Sequence, residues 1–218
     1  MDAFPVFSFK DARDMRIGLM GGTFDPIHMG HLYAARQALL GAGLHRVVLL
    51  PSGVPPHKMT GANAPAGDRL AMTALAVRGQ PGLAVSDYEI AGGARYTADT
   101  LDGIRRLCGS GCSLSFILGA DSLLDLRRWY RPDRLLSLAD IVAVYRPGYE
   151  VCALRAEVEY LRANFGARIA LIMNGGVDIS SSCIRERTGR GLPLEGLVPD
   201  AVAAYIREKG LYGYKQDS

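Results

Sequence analysis

The sequence predicts an α/β protein with an open, mostly parallel sheet covered by helices on both faces. Three observations carry that reading. From residue 16 onward, short apolar strands alternate with segments of helical periodicity, and alternation of this kind builds parallel sheets joined by right-handed crossovers. The run Arg46-Val47-Val48-Leu49-Leu50 is β-branched and apolar on both sides, as a strand covered on both faces must be. With 218 residues, 49% hydrophobic and 22% charged, the chain can bury one substantial core. That length permits one or two domains, and the uninterrupted alternation favours one.

In order along the chain, residues 1–15 mix Phe4, Phe7 and Phe9 with Pro5, Lys10, Asp11, Arg13 and Asp14, so they contain no apolar stretch of signal-peptide length. They are expected to be a loosely held N-terminal extension, leaving 16–218 as a single domain that includes the C-terminal helices. Residues 16–20 form a short buried strand, Gly21 and Gly22 open a turn, and 32–40 have helical composition. A second strand spans 46–50 and ends at Pro51. Residues 52–65, with several Pro and Gly, form a loop. In 68–78, Leu70, Thr73, Ala74 and Val77 share a helical face, and 83–85 is a short strand. A helix opens at 96–100 with Thr97 as its cap and Leu101, Ile104 and Leu107 as its buried side. Strands at 114–118, 141–145 and 168–173 and helices at 151–165, 184–190 and 200–209 complete the alternation, without internal repeats or low-complexity segments.

Charge narrows the function classes. The net charge is +3 and the pI about 8.7, and the arginines are scattered instead of forming a basic tract. A nucleic-acid partner is therefore not expected, whereas small anions suit the mild excess. No run of transmembrane length occurs, so no membrane partner is expected either. Cys108, Cys112, Cys152 and Cys183 are few and fit a reducing, cytoplasmic setting. Cys108 and Cys112 lack the second Cys or His pair that a zinc site needs. Whether the chain forms a homo-oligomer is left open by the sequence.

The stretch Met20-Gly21-Gly22-Thr23-Phe24-Asp25-Pro26-Ile27-His28-Met29-Gly30-His31 joins the first strand to the first helix. A helix start carries unsatisfied N–H groups and a partial positive charge, and so suits phosphate. His28 and His31, three apart, share a face in a first helical turn, with Gly30 between them. Imidazoles there can donate to phosphate and can gain a proton as negative charge builds. A lone histidine at a helix start is more often a surface or capping residue; the constellation is what points to a ligand. Asp25 could orient a histidine, hold a phosphate's counter-ion or simply open an Asp-Pro turn, and it is not read as a general base.

Open α/β sheets bind ligands beyond the carboxyl ends of their strands, where the strand order reverses. Four loops leave strands in that sense, at 21–31, 51–58, 119–122 and 173–182. Neither Gly-x-Gly-x-x-Gly after a strand nor a P-loop is present, so nucleotide binding must use another device. Gly53-Val54-Pro55-Pro56-His57-Lys58 offers a stiffened loop whose Lys58 can meet phosphate, or is an ordinary surface lysine. Ile179-Ser180-Ser181-Ser182-Cys183-Ile184-Arg185 can present hydroxyls, helix-start N–H groups and a guanidinium to phosphate, or is a capped surface helix. Trp129, the single tryptophan, can stack on a planar ring or serve as packing.

These motifs carry a resemblance. GGTFDPIHMGHL resembles the signature of nucleotidyltransferases with a His-x-Gly-His motif, and its opening is similar to the nicotinate and nicotinamide mononucleotide adenylyltransferases. Pro-Pro-His-Lys, Gly-Ala-Asp-Ser-Leu, Arg-Pro-Gly-Tyr and Ile-Ser-Ser-Ser-x-Ile-Arg extend the match over about residues 16 to 213, and the bacterial nicotinate mononucleotide adenylyltransferase family is the nearest. The family commonly has Thr where this chain has Ser182; a hydroxyl is kept. The resemblance implies a Rossmann-like, doubly wound fold and adenylyl transfer from ATP to nicotinate mononucleotide, giving deamido-NAD and pyrophosphate. It implies Mg2+ that arrives with ATP, and no metal site made of protein side chains. It assigns catalysis to His28, His31 and Arg185 and ATP contacts to Gly21, Gly22, Thr23, Phe24, His28, His31, Gly119, Asp121, Ser181 and Arg185. Lys58, Tyr96, Thr97, Trp129 and Arg146 would then meet nicotinate mononucleotide. A pantetheine-phosphate or cytidylyl transferase, and a non-catalytic nucleotide sensor, are the rival readings.

Overall fold

Successive side chains of a strand point to opposite faces, so apolar strands need a helical layer on each side. The computed structural model, which describes residues 6–53, 63–92, 96–145, 150–173 and 179–214, has that arrangement. Strands β1 (Arg16–Gly22), β2 (Arg46–Pro51), β3 (Leu83–Val85), β4 (Ser113–Gly119), β5 (Asp140–Val144) and β6 (Ile169–Ile172) form one sheet in the order β3-β2-β1-β4-β5-β6. Every pairing is parallel. On one face Leu19, Val48, Phe116 and Ile141 pack with Leu101, Leu123, Leu135 and Leu154. Those four come from α4 (Thr97–Cys108), α5 (Ala120–Asp125), α6 (Pro132–Leu138) and α7 (Val151–Phe165). On the other face Met20, Leu49, Ile117 and Val142 pack with Ala35, Met72, Ile184 and Val202, from α1 (Met29–Gly41), α2 (Ala66–Val77), α8 (Ser181–Gly189) and α9 (Asp200–Glu208). The expected doubly wound α/β fold is therefore present.

Strand order builds outward in one direction from β1 through β3 and in the other from β4 through β6. The switch point lies between β1 and β4, and the crevice beyond Gly22 and Gly119 is where such sheets take ligands. At the centre of β1, Gly18 is packed so closely that an added Cβ would lie 2.7 Å from Ile117 Cδ1 and 2.7 Å from Leu44 Cδ1. Gly18→Ala is expected to cost about 1–3 kcal/mol, the usual penalty of overpacking, measured as a lowered denaturant midpoint at unchanged slope.

Several local expectations change. The described part of the 1–15 extension is not loosely held. Phe9 and Ala12 are buried, Phe9 meets Tyr88 edge-on at 6.1 Å, and Phe7 N–H donates to the Val85 carbonyl at 2.8 Å. The physical reason is that β3 is an edge strand, whose outer backbone groups need partners. Tyr96, not Thr97, occupies the cap position of α4, Thr97 being its first helical residue, and Leu107 is 40% exposed. Helix α5 begins where a loop at 119–122 was expected, and α3 (Tyr88–Gly92) and α6 are additional.

Candidate active site

At the end of β1 the chain makes a tight descent into α1. Phe24 has φ of 49°, and the Asp25-Pro26 peptide is cis. Asp25 is 2% exposed, and its carboxylate is fully engaged. Oδ1 accepts from the Ala64 N–H at 3.1 Å and the Tyr212 hydroxyl at 2.9 Å. Oδ2 accepts from the Asn63 N–H at 2.8 Å and Asn63 Nδ2 at 3.1 Å. A carboxylate offers about four lone-pair positions, and all are used. Burial by itself would raise the Asp25 pKa; the donors from Asn63, Tyr212 and Ala64 outweigh it and hold the carboxyl below its ordinary value.

Arg69 completes this support from α2. Its side chain is 1% exposed, and its guanidinium donates to three carbonyls: Thr23 at 2.7 Å, Gly53 at 2.9 Å and Ala64 at 3.2 Å. Burial lowers its pKa, and the nearby Asp25 charge opposes that shift. One buried cation thus ties together the turn after β1, the segment after β2 and the start of α2.

His28 and His31 sit at the start of α1, as the sequence predicts. His28 is the N-cap and is buried, and the two rings stack at 3.7 Å with planes 26° apart. The His28 N–H donates to His31 Nδ1 at 3.3 Å. A neutral imidazole whose Nδ1 accepts carries its proton on Nε2, so His31 presents a ring N–H as donor. Phe24 meets the His31 ring edge-on at 5.0 Å and limits its rotation.

Helix α8 is fastened to the same turn. Arg185 Nη1 donates to the Asp25 carbonyl at 2.7 Å, and the Ser181 hydroxyl donates to the Pro26 carbonyl at 2.9 Å. Ser180 is the cap, its hydroxyl accepting from Cys183 N–H at 3.2 Å, and Ser182 accepts from Arg185 Nη2 at 3.3 Å. The starts of α1 and α8 are therefore pinned side by side, with Met29 N–H already given to the Leu197 carbonyl and Cys183 N–H to the Ser180 hydroxyl.

Gly119 ends β4, and Asp121 lies exposed in the first turn of α5. An added Cβ at Gly119 would lie 2.4 Å from Asp121 Oδ1, so glycine leaves that carboxylate its position. Tyr96, Thr97 and Trp129 make a second group. Tyr96 stacks on Tyr130 at 4.3 Å with planes 28° apart, and Trp129 is half-buried, edge-on to Phe116 at 6.1 Å. Phe116 links the groups, since its ring lies 3.7 Å from the Cβ position of Gly21. Lys58 and Arg146 lie outside the described residues. Sequence reasoning missed Asn63, Arg69, Tyr130 and Tyr212. Adjacency to Trp129 was the one available signal for Tyr130, while nothing in spacing connects Asp25 with Tyr212.

The description "Cytidylyltransferase-like" fits residues 19–187. A protein of Dehalococcoides mccartyi named "Probable nicotinate-nucleotide adenylyltransferase" is 42% identical over 202 residues, covering 91% of this chain and 97% of that protein. The chain belongs to the nicotinate-nucleotide adenylyltransferase family. A Saccharopolyspora erythraea member carrying the same name is 42% identical, with 95% of this chain and 94% of its own length matched. In three dimensions the chain is similar to the Plasmodium falciparum nicotinic acid mononucleotide adenylyltransferase complexed with NaAD. The TM-score is 0.74 at 17% identity, covering 93% of this chain and 100% of that one. The same protein complexed with APC gives 0.73 at 16% identity, with 93% and 100% covered. At those identities the likeness establishes the fold, and the family rests on the sequence relatives. Those relatives match nearly the whole chain, so both the His28–His31 turn and α8 fall within family territory.

Proposed function

We propose that the chain transfers the adenylyl group of ATP to nicotinate mononucleotide, forming deamido-NAD and pyrophosphate in NAD biosynthesis. The observation that carries this reading is the fastening of α8 to the turn before α1 through Arg185 and Ser181. It sets two helix starts, two imidazoles and a guanidinium around one corner at the sheet's switch point. A triphosphate is the ligand chemistry such a corner suits.

No protein nucleophile is required, because the attacking 5′-phosphate of the mononucleotide is already anionic at neutral pH. The protein's contribution is to align two polyanions and to stabilise charge on the transferring and leaving phosphates. In this reading His28 and His31 meet the ATP phosphates around the scissile bond, and Arg185 with the α8 start meets the leaving pyrophosphate. Gly21, Gly22, Thr23 and Phe24 line the approach, Gly119 and Asp121 lie by the ribose, and Trp129, Tyr96 and Thr97 receive the pyridine ring and its carboxylate. Asp25, its four acceptor positions taken by protein donors, offers no lone pair to a cation. The site therefore suits Mg2+ carried on phosphate oxygens and water, where it would offset triphosphate charge. No helix among the described residues is long and apolar enough to cross a membrane. The four free thiols accord with work in the reducing cytoplasm.

The test compares nicotinate and nicotinamide mononucleotides, each with ATP and Mg2+, following pyrophosphate release and dinucleotide formation. Turnover is expected with the acid, exceeding that with the amide by about tenfold or more, since a site built for a carboxylate penalises its replacement. Pyrophosphate release with neither mononucleotide, or only with phosphopantetheine or a cytidylyl acceptor, would overturn the reading.

A further inference from the structure

The C-terminal turn reaches back into the site. Tyr212, 187 positions from Asp25, donates its hydroxyl to Asp25 Oδ1 at 2.9 Å. Its backbone pays for that reach, with φ of 58° inside the short turn Leu211–Gly213. Such a conformation in a non-glycine residue persists where surrounding contacts over-determine it, and it clusters at functional sites. Phe24, the residue before Asp25, has φ of 49°, so the Asp25–Tyr212 contact is held by strained backbone from both ends. Burial, then the Asp25 charge, push the Tyr212 hydroxyl far above its ordinary pKa, which keeps it a donor at any working pH. The charged groups facing the pair are Arg69 and Arg185, and His28 follows on the same segment.

The consequence lies in what Asp25 carries. Its main-chain carbonyl anchors Arg185, the next carbonyl holds Ser181, and His28 stands three residues on. Without the phenol, Oδ1 keeps one donor, Ala64 N–H, while Oδ2 keeps both donors from Asn63, so the carboxylate is held unevenly on its two oxygens. The same residue supplies the peptide carbonyl that seats Arg185, three residues before His28. Misplacement of about 1 Å in an aligned site can cost about a hundredfold in rate. We propose that Tyr212 is a positioning residue for adenylyl transfer, acting through Asp25 to orient the turn that presents His28 and anchors Arg185. The inference rests on the transferase reading above.

Kinetics of the full chain carrying Tyr212→Phe, Asp25→Asn and both together test it, with Tyr205→Phe as control. Tyr205 makes a comparable hydroxyl bond to Asp68 Oδ1, at 2.8 Å, but between α9 and α2. Tyr212→Phe is expected to lower kcat about tenfold with KM for either substrate within about twofold. The double variant should be no slower than Asp25→Asn, because residues acting as a unit are not additive. Tyr205→Phe should keep the parent kcat even where it lowers the melting temperature. A carbon-13 titration of the Asp25 carboxyl should show a raised pKa in Tyr212→Phe, the sign expected when a donor to the carboxylate is lost. A Tyr212→Phe kcat within twofold of the parent, or multiplicative losses in the double variant, would overturn the proposal. If Asp25→Asn does not fold, Tyr212→Phe against Tyr205→Phe still decides. A parent protein that releases no pyrophosphate overturns the transferase reading alone. The link from Tyr212 to Asp25 is then judged by the titration, and an unmoved carboxyl pKa refutes it.

Discussion

His31→Ala is expected to lower kcat by about a hundredfold or more while the protein stays folded. The ring accepts the His28 N–H at Nδ1, and that acceptance leaves Nε2 as a donor. Losing the acceptor at a cap costs about 1 kcal/mol of stability. Losing a donor aimed at charge that develops on a transferring phosphate costs about 2.7 kcal/mol or more, which is the hundredfold. The two effects separate cleanly: a melting temperature within a few degrees of the parent, with single-turnover pyrophosphate release collapsed. KM for ATP should change less than kcat, since an interaction made in the transition state is lost from kcat first. A purified, folded His31→Ala protein with undiminished kcat would remove His31 from the catalytic assignment.

Arg69→Ala is expected to produce the largest loss of stability, about 3–5 kcal/mol. Three carbonyls, the buried one of Ala64 and the part-buried ones of Thr23 and Gly53, lose their donor at once. Asp25, buried nearby, loses a countercharge that acts on it. Removing one partner of a buried charge arrangement costs far more than the arrangement contributes against an apolar replacement. For a chain of this length that corresponds to a fall of about 10 °C in melting temperature, read by calorimetry. Arg69→Lys keeps the charge but offers a compact ammonium in place of a planar fork, so it should recover part of the loss and not all of it. An Arg69→Ala protein within about 1 kcal/mol of the parent would show that water can replace the guanidinium there.

Much of the molecule was legible in one dimension because its signals are local. The apolar runs at 46–50 and 114–118 became β2 and β4, and the helical periodicity of 151–165 became α7. The placement of His28 and His31 at a helix start followed from the Gly-Gly turn and the composition after it. Misreadings were local as well: Thr97 lost the cap position to Tyr96, and Leu107, in the last turn of α4, faces solvent while Leu101 and Ile104 are buried as expected. The docked 6–15 segment was illegible, since its retention depends on the open edge of β3.

What the sequence by itself determined is the alternation that forces a parallel, two-faced sheet, and the chemistry of the His28–His31 and Ser181–Arg185 motifs, because burial periodicity and side-chain type are written residue by residue. Only the tertiary structure decided that Asp25 is a saturated hub instead of an Asp-Pro turn with a solvated carboxylate, and that Asn63, Arg69 and Tyr212 supply its surroundings. Those partners lie 38, 44 and 187 positions away by residue number. A hydrogen bond acts over about 3 Å, and chain folding alone chooses which distant residues come within that reach.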